Sequence, residues 1–184
     1  MGQSKFPYKR TIVFGSTGIG KTTMVKQIAE EFSLPVIDID SLRREAGKSD
    51  SPEETFSQLV SESVKGDTWI IDGSYTSVQE IVWPRAEAIV WLDFSFWVFL
   101  SRLIKRSLYR IFIRKKSEKP IKGRYQPTGE RASNYLHVIF TRKQRQKQYF
   151  AALYNSKYTH LHIIRLSSPE DVTIWFDLLK NDQR

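Results

Sequence analysis

FGSTGIGKTTM, residues Phe14 to Met24, is the stretch on which the reading of the chain turns. Its glycines, Gly15, Gly18 and Gly20, let a backbone curl tightly enough to aim successive N–H groups at one point. Lys21 follows at once, with hydroxyls at Thr22 and Thr23. A ring of amides, a cation that reaches past it and a hydroxyl able to ligate a hard metal are what a polyphosphate requires. The spacing Gly-x-x-x-x-Gly-Lys-Thr is that of the phosphate-binding P-loop. Gly15, Ser16, Thr17, Gly18, Ile19, Gly20, Lys21, Thr22 and Thr23 are therefore expected to surround the phosphates of ATP or GTP. Lys21 is the residue that reaches the β- and γ-phosphates and acts in catalysis, and Thr22 the one that holds Mg²⁺.

The flanks have the order the motif needs. KRTIVF (Lys9 to Phe14) is apolar and rich in strand formers, and KTTMVKQIAEEF (Lys21 to Phe32) repeats apolar residues at helical spacing. Further apolar runs at LPVIDID (Leu34 to Asp40), DTWIIDGSY (Asp67 to Tyr75), AEAIVWLD (Ala86 to Asp93) and THLHIIRL (Thr159 to Leu166) read as strands. SLRREAGKSDSPEE reads as a polar connection into a helix from Pro52 to Lys65, with Ser51 as its cap and Glu53 and Glu54 complementing the dipole. Pro169 opens a closing amphipathic helix. Five apolar strands with helical crossovers predict an α/β fold, a parallel sheet covered on both faces, with ligands at the carboxyl ends of its strands.

Composition narrows the chemistry. The 184 residues suffice for one domain with a substantial core, and no internal repeat or linker divides them. There is no cysteine, and the three histidines lack metal-ligand spacing, which argues against thiol chemistry and a zinc site. The longest apolar run, AIVWLDFSFWVFL, is broken by Asp93 and too short to span a bilayer, so a cytoplasmic location is expected. Charge is uneven: residues 97–149 hold 15 Lys/Arg against two acids, leaving 14 Lys/Arg against 18 acids elsewhere. Such a basic module suits an anion-gripping lid or a nucleic-acid surface.

The strand-end acids supply candidates for transfer chemistry. Asp38 and Asp40, two residues apart at the end of the second strand, are expected to point the same way, Asp38 toward Mg²⁺ and Asp40 toward an acceptor hydroxyl whose proton it takes. Asp72 ends the third strand where a P-loop enzyme keeps the acid that steadies its metal, and Asp93 ends the fourth. In the basic segment Arg102, Arg106, Arg110 and Arg114 recur every fourth residue on one helical stripe. Guanidinium groups brought over a transferring phosphoryl group lower the barrier, which makes Arg106 and Arg110 catalytic candidates on a closing lid.

These residues resemble the P-loop nucleoside and small-molecule kinase group, which includes adenylate kinase and shikimate kinase. Within it they look most like the bacterial proteins labelled DNA topology modulation. GSTGIGKTT, WIIDGSY, VWPRAEAIVWLD and the arginine-rich helix carry the match, from about Ile12 to Leu166. The resemblance implies a P-loop NTPase fold: one domain over residues 1–184 with a five-stranded parallel sheet in the order 2-3-1-4-5, helices on both faces and an arginine-rich lid at about 102–134. It also implies that Arg102 stacks on adenine, that Arg106 reaches phosphate, and that the loop LSSPED, with Ser168 and Pro169, borders the adenine. VIDID is similar to the paired aspartates of shikimate kinases, one near the metal and one on the substrate hydroxyl. Gly73 and Arg85 are the further substrate candidates. Gly73 is not followed by the Phe-Pro-Arg of adenylate kinases, which argues against AMP as acceptor, and it lacks the glycine triplet of shikimate kinases.

Two functions meet these features. One is a kinase moving the γ-phosphate of Mg·ATP to a small hydroxylated or phosphorylated acceptor. The other is a nucleic-acid-associated ATPase or regulator, its basic 97–149 segment on a phosphodiester backbone. A 5′-hydroxyl polynucleotide kinase would combine the two.

Overall fold

The computed structural model of the chain describes residues 6–16, 18–73, 76–95, 97–98, 100–101, 150–153 and 155–181. Five strands, β1 (Arg10–Gly15), β2 (Val36–Asp38), β3 (Trp69–Asp72), β4 (Ala88–Leu92) and β5 (His162–Leu166), form a parallel sheet in the order β2-β3-β1-β4-β5. The α-helices described from end to end are α1 (Lys21–Phe32), α2 (Ile39–Ala46), α3 (Pro52–Ser63), α4 (Gln79–Val82) and α5 (Pro169–Asn181). Fold class and strand order agree with the sequence-based expectation. The basic helix with Arg102, Arg106, Arg110 and Arg114, the 102–134 lid and Thr17 lie outside the described residues.

The strands are apolar because both faces of the sheet are covered. Alternation along each strand divides the core in two. On one face Val13, Ile70, Val90 and Leu92 pack with Met24, Val25, Ile28 and Phe32 of α1, and Trp175 and Phe176 of α5 lie against them. On the other, Ile12, Phe14, Ile71, Ile89 and Trp91 meet Phe56 and Val60 of α3 and the side chains of Trp83 and Tyr158. Phe14 and Tyr158 both contact Trp83 edge-on, with centroids 6.0 and 5.0 Å away. The connection leaving β1 runs toward β2 and the one leaving β4 toward β5, so the chain parts at the carboxyl end of the β1/β4 pair. In such sheets that is where a ligand crevice opens.

The second strand differs from its expectation. It stops at Asp38, and α2 begins at Ile39 in what the sequence presented as the end of a strand and a polar connection. Asp38 is the N-cap: its Oδ1 accepts the Ser41 N–H at 3.1 Å. Ile39 and Ala46 supply the buried side of α2. Asp40 is consequently helical, and the idea that Asp38 and Asp40 share one strand face is overturned. In α3, Ser51 does sit at the N-cap with Pro52 next, but its side chain makes no capping hydrogen bond.

Gly15 closes β1 with φ of 148°, in a region L side chains rarely adopt, and a Cβ there would lie 2.7 Å from the Leu92 carbonyl oxygen. Both the conformation and the close approach to β4 demand glycine. Gly15→Ala is expected to lower stability on the order of 2 kcal/mol or more. Urea unfolding of the two proteins checks this; a change under a few tenths of a kcal/mol would contradict it.

Candidate functional site

The P-loop turns from β1 into α1. Gly20 occupies the N-cap of α1 with φ of 115° and ψ of 13°, and no side chain caps that terminus. No acidic residue stands in its first turn either. The first N–H groups of α1 and the positive end of its dipole are thus available to an anion, and Thr22 and Thr23 are exposed beside them. Ile19 is buried against Gly15 and ties the loop to the core, its N–H donating to the Ser16 carbonyl at 3.3 Å.

Lys21 Nζ donates to the carbonyl oxygens of Gly15 at 2.9 Å and Ser16 at 3.1 Å, so the ammonium lies along the inside of the loop. Burial holds Lys21 below the ordinary lysine range, while the charges of Asp72 and Asp40 act in the opposite sense. The register explains the first of these neighbours. Asp72 aligns with Val13 of β1 on one side and with Asp38 of β2 on the other, and aligned residues of parallel strands face the same way. Val13 faces α1, so Asp72 does too. Asp40 reaches the same locality from the first turn of α2.

The candidates therefore separate. Lys21, Asp72 and Asp40 come together at the carboxyl edge, with Thr22 next in sequence and Gly73 directly after β3 at φ of 122°. Asp38 lies at that edge, but both its oxygens are engaged by Ser41, through the amide and through an Oγ contact of 2.9 Å, and Arg44 stands 3.8 Å away. Its structural work is capping α2. Ser168 caps α5: its Oγ donates to Asp171 Oδ1 at 2.8 Å and accepts the Asp171 N–H at 3.0 Å, with Pro169 opening the helix. These bonds, and the Ser167 amide, hold the Asp171 carboxyl below its ordinary range. Arg85 is not brought to this edge. It is the last residue of the 3-10 turn Trp83–Arg85, just before β4, and donates to the carbonyls of Val64 and Lys65 at the amino end of the sheet. Arg102, Arg106, Arg110 and Thr17 are outside the described residues.

The sequence reading missed Arg165. Late in β5, its Nε and Nη2 donate to Asp93 Oδ2 at 3.0 and 2.6 Å, and its guanidinium lies over Trp91 and Phe150 at 5.1 and 5.3 Å. Asp93, only 8% exposed, thereby acts as a brace between β4 and β5. An arginine directly after the apolar pair Ile163 and Ile164 of β5 was the available signal.

A nucleotide's phosphates fit the residues present, because the loop has the glycine conformations, the uncapped helix terminus and the cation they need. Among the described residues no group of three or more His, Cys, Asp or Glu could hold a metal. Mg²⁺ does not need one, since it is usually held by one or two protein oxygens together with substrate phosphates. Thr22 and Asp72 are the residues that could serve. No helix of the described residues is long and apolar enough to cross a membrane.

Residues 11–82, from β1 through β3 to α4, match the family described as ATPase family associated with various cellular activities (AAA). No curated protein matches the sequence significantly. Among solved structures the chain is similar to a gluconokinase from Sinorhizobium meliloti 1021, with a TM-score of 0.53 and 17% identity over 97% of this chain and 95% of that one. It is similar also to a sugar kinase from Janibacter sp., with a TM-score of 0.53 and 19% identity over 96% of each chain. A shikimate kinase from Bacteroides thetaiotaomicron gives a TM-score of 0.52 and 20% identity over 94% of this chain and 99% of that one.

The depressed Lys21 makes a pH prediction. The fold binds this proton less tightly than the unfolded chain does. Below the folded-state value Lys21 therefore opposes folding, and stability recovers as pH rises from there toward the unfolded value. Lys21→Met is expected to melt at or above the wild-type temperature at pH 7, with the gap narrowing at alkaline pH, while losing nucleotide binding. A Lys21→Met melt several degrees lower at pH 7 would contradict it. The strand order, the P-loop at the end of β1 and these structural neighbours together establish that the chain has the P-loop NTPase fold.

Proposed function

We propose that the protein is a nucleotide-dependent phosphotransferase that moves the γ-phosphate of Mg·ATP to a small hydroxylated or phosphorylated acceptor. The observation that carries this reading is the placing of two carboxylates at the P-loop edge of the sheet, Asp72 at the end of β3 on the α1 face and Asp40 in the first turn of α2, with the charges of both felt at Lys21. Steadying a metal needs one such acid. A second, delivered on a helix beside the first, suits a hydroxyl that must lose its proton as it attacks. The small-molecule kinases of like fold support the same reading.

Mg·ATP, when bound, supplies the phosphoryl group and the metal's charge. The chain's own residues bind and orient. Backbone amides of residues 15–23 and Lys21 hold the phosphates, Thr22 and Asp72 hold the metal, and the Leu166–Asp171 loop at the end of β5 borders the base. Asp40 receives the acceptor's proton, and Gly73 leaves room for the acceptor beside it. Arg102, Arg106 and Arg110, on the 102–134 lid of the single domain, complete the proposal by neutralising charge over the transfer.

The test is the fate of label from γ-labelled Mg·ATP, offered with pools of sugars and other hydroxylated metabolites, nucleosides, nucleotides and 5′-hydroxyl oligonucleotides. Label is expected in one small-molecule pool. Asp40→Asn should reduce transfer about 10²-fold or more while leaving ATP affinity within about threefold. Label released only as inorganic phosphate, faster with nucleic acid present, would replace the kinase with the ATPase reading. Label on the 5′-hydroxyl oligonucleotide would replace it with a polynucleotide kinase.

A further inference from the structure

Arg85 has no task at the carboxyl edge, yet the structure holds it with care. Its Nε donates to the Val64 carbonyl at 2.8 Å and its Nη2 to the Lys65 carbonyl at 3.1 Å. A guanidinium carries five N–H donors, so two bonds orient it and leave the others for something else. Among the described residues it has no ion pair with a carboxylate, as the acid beside it is already committed. Glu87 Oε1 accepts from Arg10 Nη2 at 2.8 Å, and Glu87 Oε2 accepts the Lys9 N–H at 2.8 Å. The positive charge of Arg10 is thus balanced within the group and that of Arg85 is not.

Arg85 lines a depression of about 590 Å³ at the amino ends of β1, β4 and β5, together with Tyr8, Arg10, Glu87, His160 and His162. That volume lies within the range of small-molecule sites, about 300 to 1,000 Å³. Two rings meet on one side of it, those of Tyr8 and His162, with centroids 5.3 Å apart and planes tilted by 36°. His160 Nε2 stands 3.3 Å from the Trp83 carbonyl, which can only accept, so that nitrogen carries the hydrogen. The depression therefore combines an oriented, unbalanced guanidinium, two imidazoles and an aromatic wall. It sits at the opposite end of the sheet from Lys21, six residues of β1 away, on the order of 17 Å or more.

We propose that this is a second ligand site, for a small ring-bearing organic anion whose phosphate or carboxylate is gripped by Arg85 and whose ring packs against Tyr8 and His162. It is independent of the phosphotransferase reading.

The test titrates the full-length wild type and Lys21→Met with phenyl phosphate, benzoate and inorganic phosphate while following the imidazole NMR signals of His160 and His162. Phenyl phosphate or benzoate should shift both signals saturably, with half-saturation near or below about 1 mM, and equally in Lys21→Met. Which of the two binds tighter decides between phosphate and carboxylate. Arg85→Gln should weaken binding about tenfold or more. Tyr8→Ser leaves the Val64 and Lys65 bonds intact and serves if Arg85→Gln fails to fold; it should weaken the ring-bearing ligands several-fold and leave inorganic phosphate unchanged. No saturable shift by about 10 mM, or equal affinity in wild type and both variants, would overturn the site. Inorganic phosphate binding as tightly as phenyl phosphate would overturn the organic ligand. Loss of the shifts in Lys21→Met would assign them to the P-loop instead.

Discussion

The approach of Gly15 to the Leu92 carbonyl is the constraint on which the carboxyl edge depends. At that point β1 ends against β4 with no room for a Cβ, and the chain must turn out of the sheet in a conformation open to glycine. The turn lets the loop present its amides and delivers Gly20 to the start of α1 without a side-chain cap. Lys21 is then carried to the inside of the loop, where burial depresses its proton affinity and the β3 acid stands within reach. A bulkier residue at position 15 would push β1 from β4 or the loop from its path, and either would displace the cation.

Much of this was legible in the sequence for definite reasons. The glycines of GSTGIGKTT each limit the backbone, and the strands that must be buried on both faces read as unbroken apolar runs. What the sequence hid lay where local signals competed. VIDID has the alternation of a strand, but Asp38 is also a strong helix cap, and tertiary packing of Ile39 and Ala46 beneath α2 decided for the helix. Asp40 kept its place near Lys21 although the strand geometry that first suggested it was wrong. Arg85 shows the complementary limit. Its sequence neighbourhood says that it ends a turn, and only the topology reveals which end of the sheet that turn occupies. Two tryptophans also differ in setting: Trp97 is 74% exposed, while the partly buried Trp175 meets Phe6 edge-on at 6.2 Å.

The two edges of the sheet differ in how their charges are arranged. At the carboxyl edge the Lys21 ammonium is held by backbone carbonyls and feels the charges of Asp72 and Asp40, an arrangement that a polyphosphate and metal can reorganise. The neighbouring Asp93–Arg165 brace, set over Trp91 and Phe150, keeps β4 and β5 aligned beside it. At the amino edge Arg10 and Glu87 pair off, and Arg85 is fixed by carbonyls alone. The same sheet thus positions reacting groups at one end and an oriented guanidinium at the other, because its strands are all parallel and so share one carboxyl edge and one amino edge.

The most direct test of the central claim is a titration of the protein with Mg·ATP followed by backbone amide NMR shifts. The account predicts that the amides from Gly15 to Thr23 move together and saturate, with Gly73 and Asp40 responding and the residues around Arg85 still. Shifts centred on the amino edge, or none at the loop at saturating nucleotide, would contradict it.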